Sequence, residues 1–175
     1  SRFEVVEAIK QTTTIQVTPD DPLILYNTSK SLNTVTWRGD MGIPQYVNIT
    51  SDLPINITGS LRALLGGSDV CASDCFDFLF QGCAIKLFDV VWPSTLNTSC
   101  FSSMFSGAYI QHIVMDVSWP NIPDNACVRM FENVTGFSEG NSRITLVFDT
   151  IGYHGCRSMF EGSDITSSVL NITWG

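Results

Sequence analysis

Residues 108–119 read Ala108-Tyr109-Ile110-Gln111-His112-Ile113-Val114-Met115-Asp116-Val117-Ser118-Trp119. Tyr109, Ile113, Met115, Val117 and Trp119 share the odd-numbered positions, against Ala108, His112, Asp116 and Ser118 on the even ones. A period of two sustained over such a run predicts a strand with one buried face. Working outward, 143–148, 85–92, 168–174 and 46–50 have the same strand-like character, as do 3–9, 13–18, 23–26 and 34–37 nearer the start. Helix is scarce. Ser60 caps a short apolar run that stops at Gly66-Gly67, and residues 99–106 ahead of Gly107 suit one or two further turns. No internal repeat is read. Short strands separated by turn residues predict an all-β chain folded as an antiparallel β-sandwich with one or two short helices.

Composition sets the class. The chain has 175 residues, 44% hydrophobic and only 15% charged, against roughly 25% charged in an average soluble domain. It is long enough to bury a core and suits a single domain over 1–175, with a subdivision near 66–70 as the other reading. Aromatics at 11% exclude a disordered chain. A net charge of −8 excludes a phosphate-binding surface, so no nucleic acid partner is expected.

The compartment comes from a count. Six of the ten asparagines start an Asn-x-Ser/Thr triplet: Asn27, Asn48, Asn56, Asn97, Asn133 and Asn171. Ser and Thr fill 35 of 175 positions, so chance would supply about two such triplets. They are read as N-glycan acceptors of an extracellular or secretory-pathway chain. Strand pattern agrees. Leu170, Ile172 and Trp174 fall on one face with Asn171 on the other, and Asn48 and Asn56 are flanked likewise by Val47 and Ile49, and by Ile55 and Ile57.

Cys71, Cys75, Cys83, Cys100, Cys127 and Cys156 are an even set, all after residue 70. In a secreted chain that predicts up to three disulfides stapling the second half, with 15 pairings open. Zinc is disfavoured, because Cys71, Cys75 and Cys83 lack a second closely spaced pair of ligands.

Two fragments carry a resemblance. Leu23-Ile24-Leu25-Tyr26 followed by Val35-Thr36-Trp37 resembles strands B and C of an immunoglobulin-like domain, with the core tryptophan in place. Asp149-Thr150-Ile151-Gly152-Tyr153-His154-Gly155-Cys156 is similar to a tyrosine corner. The resemblance implies an immunoglobulin-like version of the sandwich. Tyr26 stands where that family places its first cysteine, and the Tyr153–Cys156 spacing is one residue longer than the corner's.

Enzyme chemistry finds no footing. The Gly-x-Ser-x-Gly elbow is absent, His112 sits mid-strand and His154 among glycines. Asp149-Thr150-Ile151-Gly152 breaks the aspartic-protease loop with Ile151, and no second copy exists to share a proton. No cofactor or metal is expected, and the chain is read as a non-enzyme. Arg38-Gly39-Asp40 matches the integrin-binding tripeptide but reads first as a β-turn.

The alternating aromatics of Cys75-Phe76-Asp77-Phe78-Leu79-Phe80-Gln81-Gly82-Cys83 suit a core strand, or an exposed loop that anchors an interface. Phe76, Phe78, Phe80, His112 and Arg129 are the interface candidates, the last two lying in or beside the sequon-free stretch 101–128. Trp37, Trp92, Trp119 and Trp174 would serve a glycan partner by stacking on sugar rings. No run of about 18 apolar residues occurs, so membrane attachment is expected only through an anchor outside this chain. Together these features predict the ectodomain of a glycoprotein at a virion or cell surface, on the pattern of the attachment part of a viral envelope protein. Its partner would be a protein or glycan receptor on a cell surface. The alternatives are a structural subunit packed on a partner chain, and a secreted adhesion or immune-modulating protein.

Overall fold

The computed structural model describes residues 49–51, 53–137 and 141–175. Its frame is seven strands: β1 Ile55–Ser60, β2 Ala84–Val91, β3 Tyr109–Ser118, β4 Asn121–Ile122, β5 Arg143–Phe148, β6 Thr150–Ile151 and β7 Leu170–Trp174. Among the described residues a single short helix, α1 Leu61–Leu64, follows β1. Ser60 caps it, its side chain accepting from Arg62 N at 3.2 Å, and Gly66 and Gly67 at positive φ lead the chain away.

The strands form a five-stranded sheet ordered β1-β2-β3-β5-β7, plus the small pair β4-β6. Every pairing between them is parallel, and the chain winds as a β-solenoid of about four turns. The antiparallel sandwich, and with it the immunoglobulin-like version, is therefore overturned. The reason is physical: inward–outward alternation arises whether a strand's neighbour runs with it or against it. Direction is set by the connection, and a parallel pair needs a crossover of about a dozen residues or more. Residues 92–108 between β2 and β3 supply one. The fragments likened to immunoglobulin strands B and C, the Arg38-Gly39-Asp40 turn and the early strands lie outside the described residues.

Alternation itself is right for the long strand. Ile113, Met115, Val117 and Trp119 are buried, while Asp116 and Ser118 are exposed. Between Ile110 and Ile113, and at the same height in β2 between Ile85 and Phe88, two residues separate buried positions instead of one. The skip recurs in register, because Ile85 pairs with Ile110 and Phe88 with Ile113.

The other side of each turn is not strand. In residues 73–82, 98–107, 124–133 and 153–162 the backbone steps through consecutive turns. A left-handed residue stands at every fourth place: Asp74, Phe78 and Gly82 in one turn, Ser99, Ser103 and Gly107 in the next, then Asn125, Arg129 and Asn133, then His154, Ser158 and Gly162. Alternate N–H groups close turns within the coil, as Leu79 N to Phe76 O at 3.2 Å. The intervening ones reach the next coil, as Phe78 N to Ser102 O at 3.0 Å and Phe80 N to Met104 O at 2.8 Å. This wiring pairs the main-chain donors, and it offsets the steric cost of positive φ at non-glycine residues. Residues 99–106, expected as helix, belong to this staircase.

In register, Phe80, Phe105, Phe131 and Phe160 form one column, with ring centroids 5.7, 5.2 and 5.4 Å apart and near-parallel planes. Each is the second residue of a repeated Leu/Met-Phe-x-Gly/Asn element, so an internal repeat exists where none was read. Phe76 and Phe80 are fully buried, whereas Phe78 is half-buried, so the three phenylalanines share no strand face. The disulfide staples are corrected too: all six cysteines are thiols, with no pair at bonding distance.

Candidate functional site

The outward side of the parallel sheet is where strand geometry gathers polar, exposed side chains. Register sets its rows. Thr58 pairs with Asp89, Asp89 with Val114 and Val114 with Arg143. One step along, Asp116 pairs with Thr145 and Thr145 with Asn171, and beyond them Ser118, Val147 and Thr173 line up. The inner faces of the same strands carry Met115, Ile144, Val117 and Leu146, all buried, which fixes the outward set by alternation.

Asp116 and Arg143 join two of these rows. Arg143 Nε donates to Asp116 Oδ1 at 3.1 Å, and Nη2 donates to Oδ2. The Arg143 hydrogen bonds hold the Asp116 carboxyl below its ordinary range. Beside this pair, between the C-terminal ends of β2 and β3, lies an open hollow of about 410 Å³ whose lining includes Asp89, Trp92, Asp116 and Trp119. Asp89 and Asp116 are the carboxylates of a lining that is otherwise largely apolar. Sequence reasoning passed over Asp89, Asp116 and Arg143, although the even-numbered exposed positions of β3 already marked Asp116 as outward.

Four of the six asparagines that open Asn-x-Ser/Thr triplets are described. Asn56, Asn97, Asn133 and Asn171 are exposed; Asn27 and Asn48 lie outside the described residues. Asn56 and Asn171 stand on β1 and β7, the two edges of the sheet. The face between them, on β2, β3 and β5, contains no Asn-x-Ser/Thr triplet. Asn97 uses one Nδ2 hydrogen on Cys71 O at 2.8 Å, and Asn133 occupies a left-handed position of the turn staircase.

The interface candidates are scattered. Phe76 and Phe80 belong to the core. His112 is half-buried in β3, its Nδ1 accepting from Asn141 N at 3.2 Å. Arg129 is exposed on the turn side, with Nε 3.5 Å from Glu132 Oε1. His112 and Arg129 thus sit on different sides of the coil. Trp92 and Trp119 are buried, Trp119 Nε1 donating to Pro93 O at 2.8 Å, so neither is placed to stack on a sugar; Trp174 is 64% exposed.

The cysteines fall into register groups. Cys75 and Cys100 share one column, Cys127 and Cys156 another, and the Cys71 thiol reaches both Cys75 and Cys100. Burial pushes the Cys71 thiol far up, and the Cys83 thiol up to about 11. Among the described residues no three His, Cys, Asp or Glu side chains are grouped to hold a metal, and no helix is long and apolar enough to cross a membrane. No protein-family model, curated protein or solved structure matches the chain.

Proposed function

We propose that this chain is the binding ectodomain of a surface glycoprotein, and that it engages a protein or glycan receptor through the outward face of β2, β3 and β5. The observation that carries the reading is the placement of acceptors. All four described ones are exposed, two stand on opposite sheet edges, and the face between them has none. Across the four strand intervals from β1 to β7 that face is roughly 19 Å wide. Edge glycans would shield its borders and leave Asp89, Val91, Asp116 and Arg143 open to contact.

The test uses tetramers of the animal-cell-expressed chain on a panel of cells, with replicates stripped by protease or sialidase. Saturable staining lost after one treatment identifies the receptor as protein or sugar. Asp116→Asn, followed by Val117 and Ser118, creates an acceptor triplet in the middle of the face. Glu161→Asn, followed by Gly162 and Ser163, creates one on the turn side. Staining should vanish with the first and persist with the second. Staining that survives a glycan at position 116 removes this face from the reading.

A second reading, a subunit packed on a partner chain, is favoured by the β7 end. Ile172 and Trp174 turn toward the core side yet are 43% and 64% exposed. Light scattering separates the two: a stable monomer opposes the second reading.

A further inference from the structure

Cys127 and Cys156 lie one above the other in adjacent coils, and the register that places them so is independent of either thiol. Cys127 N donates to Gly155 O at 2.8 Å, as Phe131 N donates to Met159 O at 2.8 Å four residues on. The second bond puts Phe131 over Phe160 with ring centroids 5.4 Å apart, so the first puts Cys127 over Cys156. Neighbouring rungs of a parallel ladder are about 4.8 Å apart, inside the roughly 4.4–6.8 Å Cα separation a disulfide accepts.

The sequence explains why there is a pair and not a column of four. Cys75 and Cys100 stand four residues before the Leu79 and Met104 of their repeat, whereas Cys127 and Cys156 stand three before Met130 and Met159. One residue fewer shifts the second pair beneath Phe76 and Phe101, and Ala126 and Gly155 fall under Cys75 and Cys100. Cys127 and Cys156 are thus each other's in-register cysteine partners.

We propose that Cys127 and Cys156 form a disulfide that clamps the third coil to the fourth when the folded chain meets a small-molecule disulfide such as oxidised glutathione. Cys127 is fully buried and Cys156 only half-buried, so Cys156 is the entry thiol. Its thiolate attacks one glutathione sulfur, forming a mixed disulfide and expelling one glutathione thiolate. Cys127 then gives its proton to solvent and attacks the Cys156 sulfur. The protein S–S bond forms, the second glutathione leaves, and two protein thiols have been oxidised as one glutathione disulfide is reduced. A hydrogen bond from Cys127 lowers the Cys156 thiol and raises its donor, which suits that order of attack. The inference rests on coil register alone and does not need the proposed receptor-binding role.

The experiment incubates the folded, full-length chain in oxidised glutathione, blocks remaining thiols with iodoacetamide, and digests with trypsin and chymotrypsin without reduction. Trypsin separates Cys127 from Cys156 by cutting at Arg129 and Arg143, and chymotrypsin separates Cys100 from Cys127. The expected product is a Cys127 peptide joined to a Cys156 peptide, two hydrogens lighter than their sum, with a thermal midpoint above that of the reduced chain. In Cys156→Ser the link disappears, and Cys127 alkylates only after denaturation. Alkylation of both cysteines after native oxidation, or linkage of either to a different cysteine, overturns the proposal. The map of the unsubstituted chain decides the matter even if the variant fails to fold.

Discussion

Phe105→Ala is the perturbation that tests the solenoid most directly. Its ring is fully buried and meets four others: Phe80 at 5.7 Å and Phe131 at 5.2 Å in the column, Phe88 at 4.9 Å and Trp92 at 6.5 Å across the core. Truncating a buried phenylalanine costs about 3–5 kcal/mol, and ring pairs add to area burial, so a loss of about 4–5 kcal/mol is expected. Phe160 ends the column, half-buried against Phe131 alone among the described ring pairs, and its truncation should cost about 2 kcal/mol. The sharper measure is coupling. In a solenoid each coil touches only its neighbours. Phe105 and Phe131 should therefore show a double-mutant coupling of about 0.5–1.5 kcal/mol, while Phe80 and Phe160 add within about 0.5 kcal/mol. Urea unfolding followed by the fluorescence of the buried Trp92 and Trp119 reads each value. Equal losses at Phe105 and Phe160, or a Phe80–Phe160 coupling as large as the adjacent one, would refute the stacked-coil reasoning.

Other expectations follow from local geometry. Gly107 has φ +68 with open space around it, so Gly107→Ala should cost about 1 kcal/mol in urea melts, through backbone strain alone. A Cβ at Gly136 would stand 2.8 Å from Ile110 O, so Gly136→Ala should cost at least twice as much. The buried Ser142 hydroxyl accepts from Ile113 N at 3.2 Å and donates to Gln111 O at 3.3 Å; Ser142→Ala should lose about 1–3 kcal/mol. The Asp116 carboxyl is held down by Arg143, so its contribution is complete above the ordinary carboxylate range and is lost as pH falls through its lowered value. The pair is largely solvent-exposed, so Asp116→Ala should cost under about 1 kcal/mol at pH 7 and nothing in strong acid, read from melts at both.

The strands on which the candidate face is built were legible. Met115 and Val117, and Ile144 and Leu146, are buried at alternate positions, so β3 and β5 come directly from alternation, while β2 and β7 were legible only as strand-like runs. Ser60 with Gly66-Gly67 likewise announced α1. Neighbour direction was not legible, because period two is common to parallel and antiparallel sheets. The repeat was hidden twice over. Its phenylalanines are spaced 25, 26 and 29 residues apart, and its cysteine changes place relative to Leu/Met-Phe between the second and third coils. Left-handed positions carry Asp74, Phe78, Ser103, Arg129 and Ser158 in place of glycine, so composition does not mark them as turns. At the face, exposure of Asp116 could be read from β3 alone. Its meeting with Arg143 needed the register of two strands far apart in sequence.

The direction of the inter-coil hydrogen bonds sets how this chain would bear load. On both the strand side and the turn side they run along the solenoid axis, from one coil to the next. A force applied along that axis pulls the bonds apart in tension, a few at a time, where a force along the strands would shear a whole row at once. Under axial tension the outermost coil would peel first and release its slack, roughly 90 Å for a coil of this length. Each detachment would leave the rest intact. Anything gripping such a chain by one end would feel a stepwise, extensible tether, and a crosslink between the third and fourth coils would remove one step.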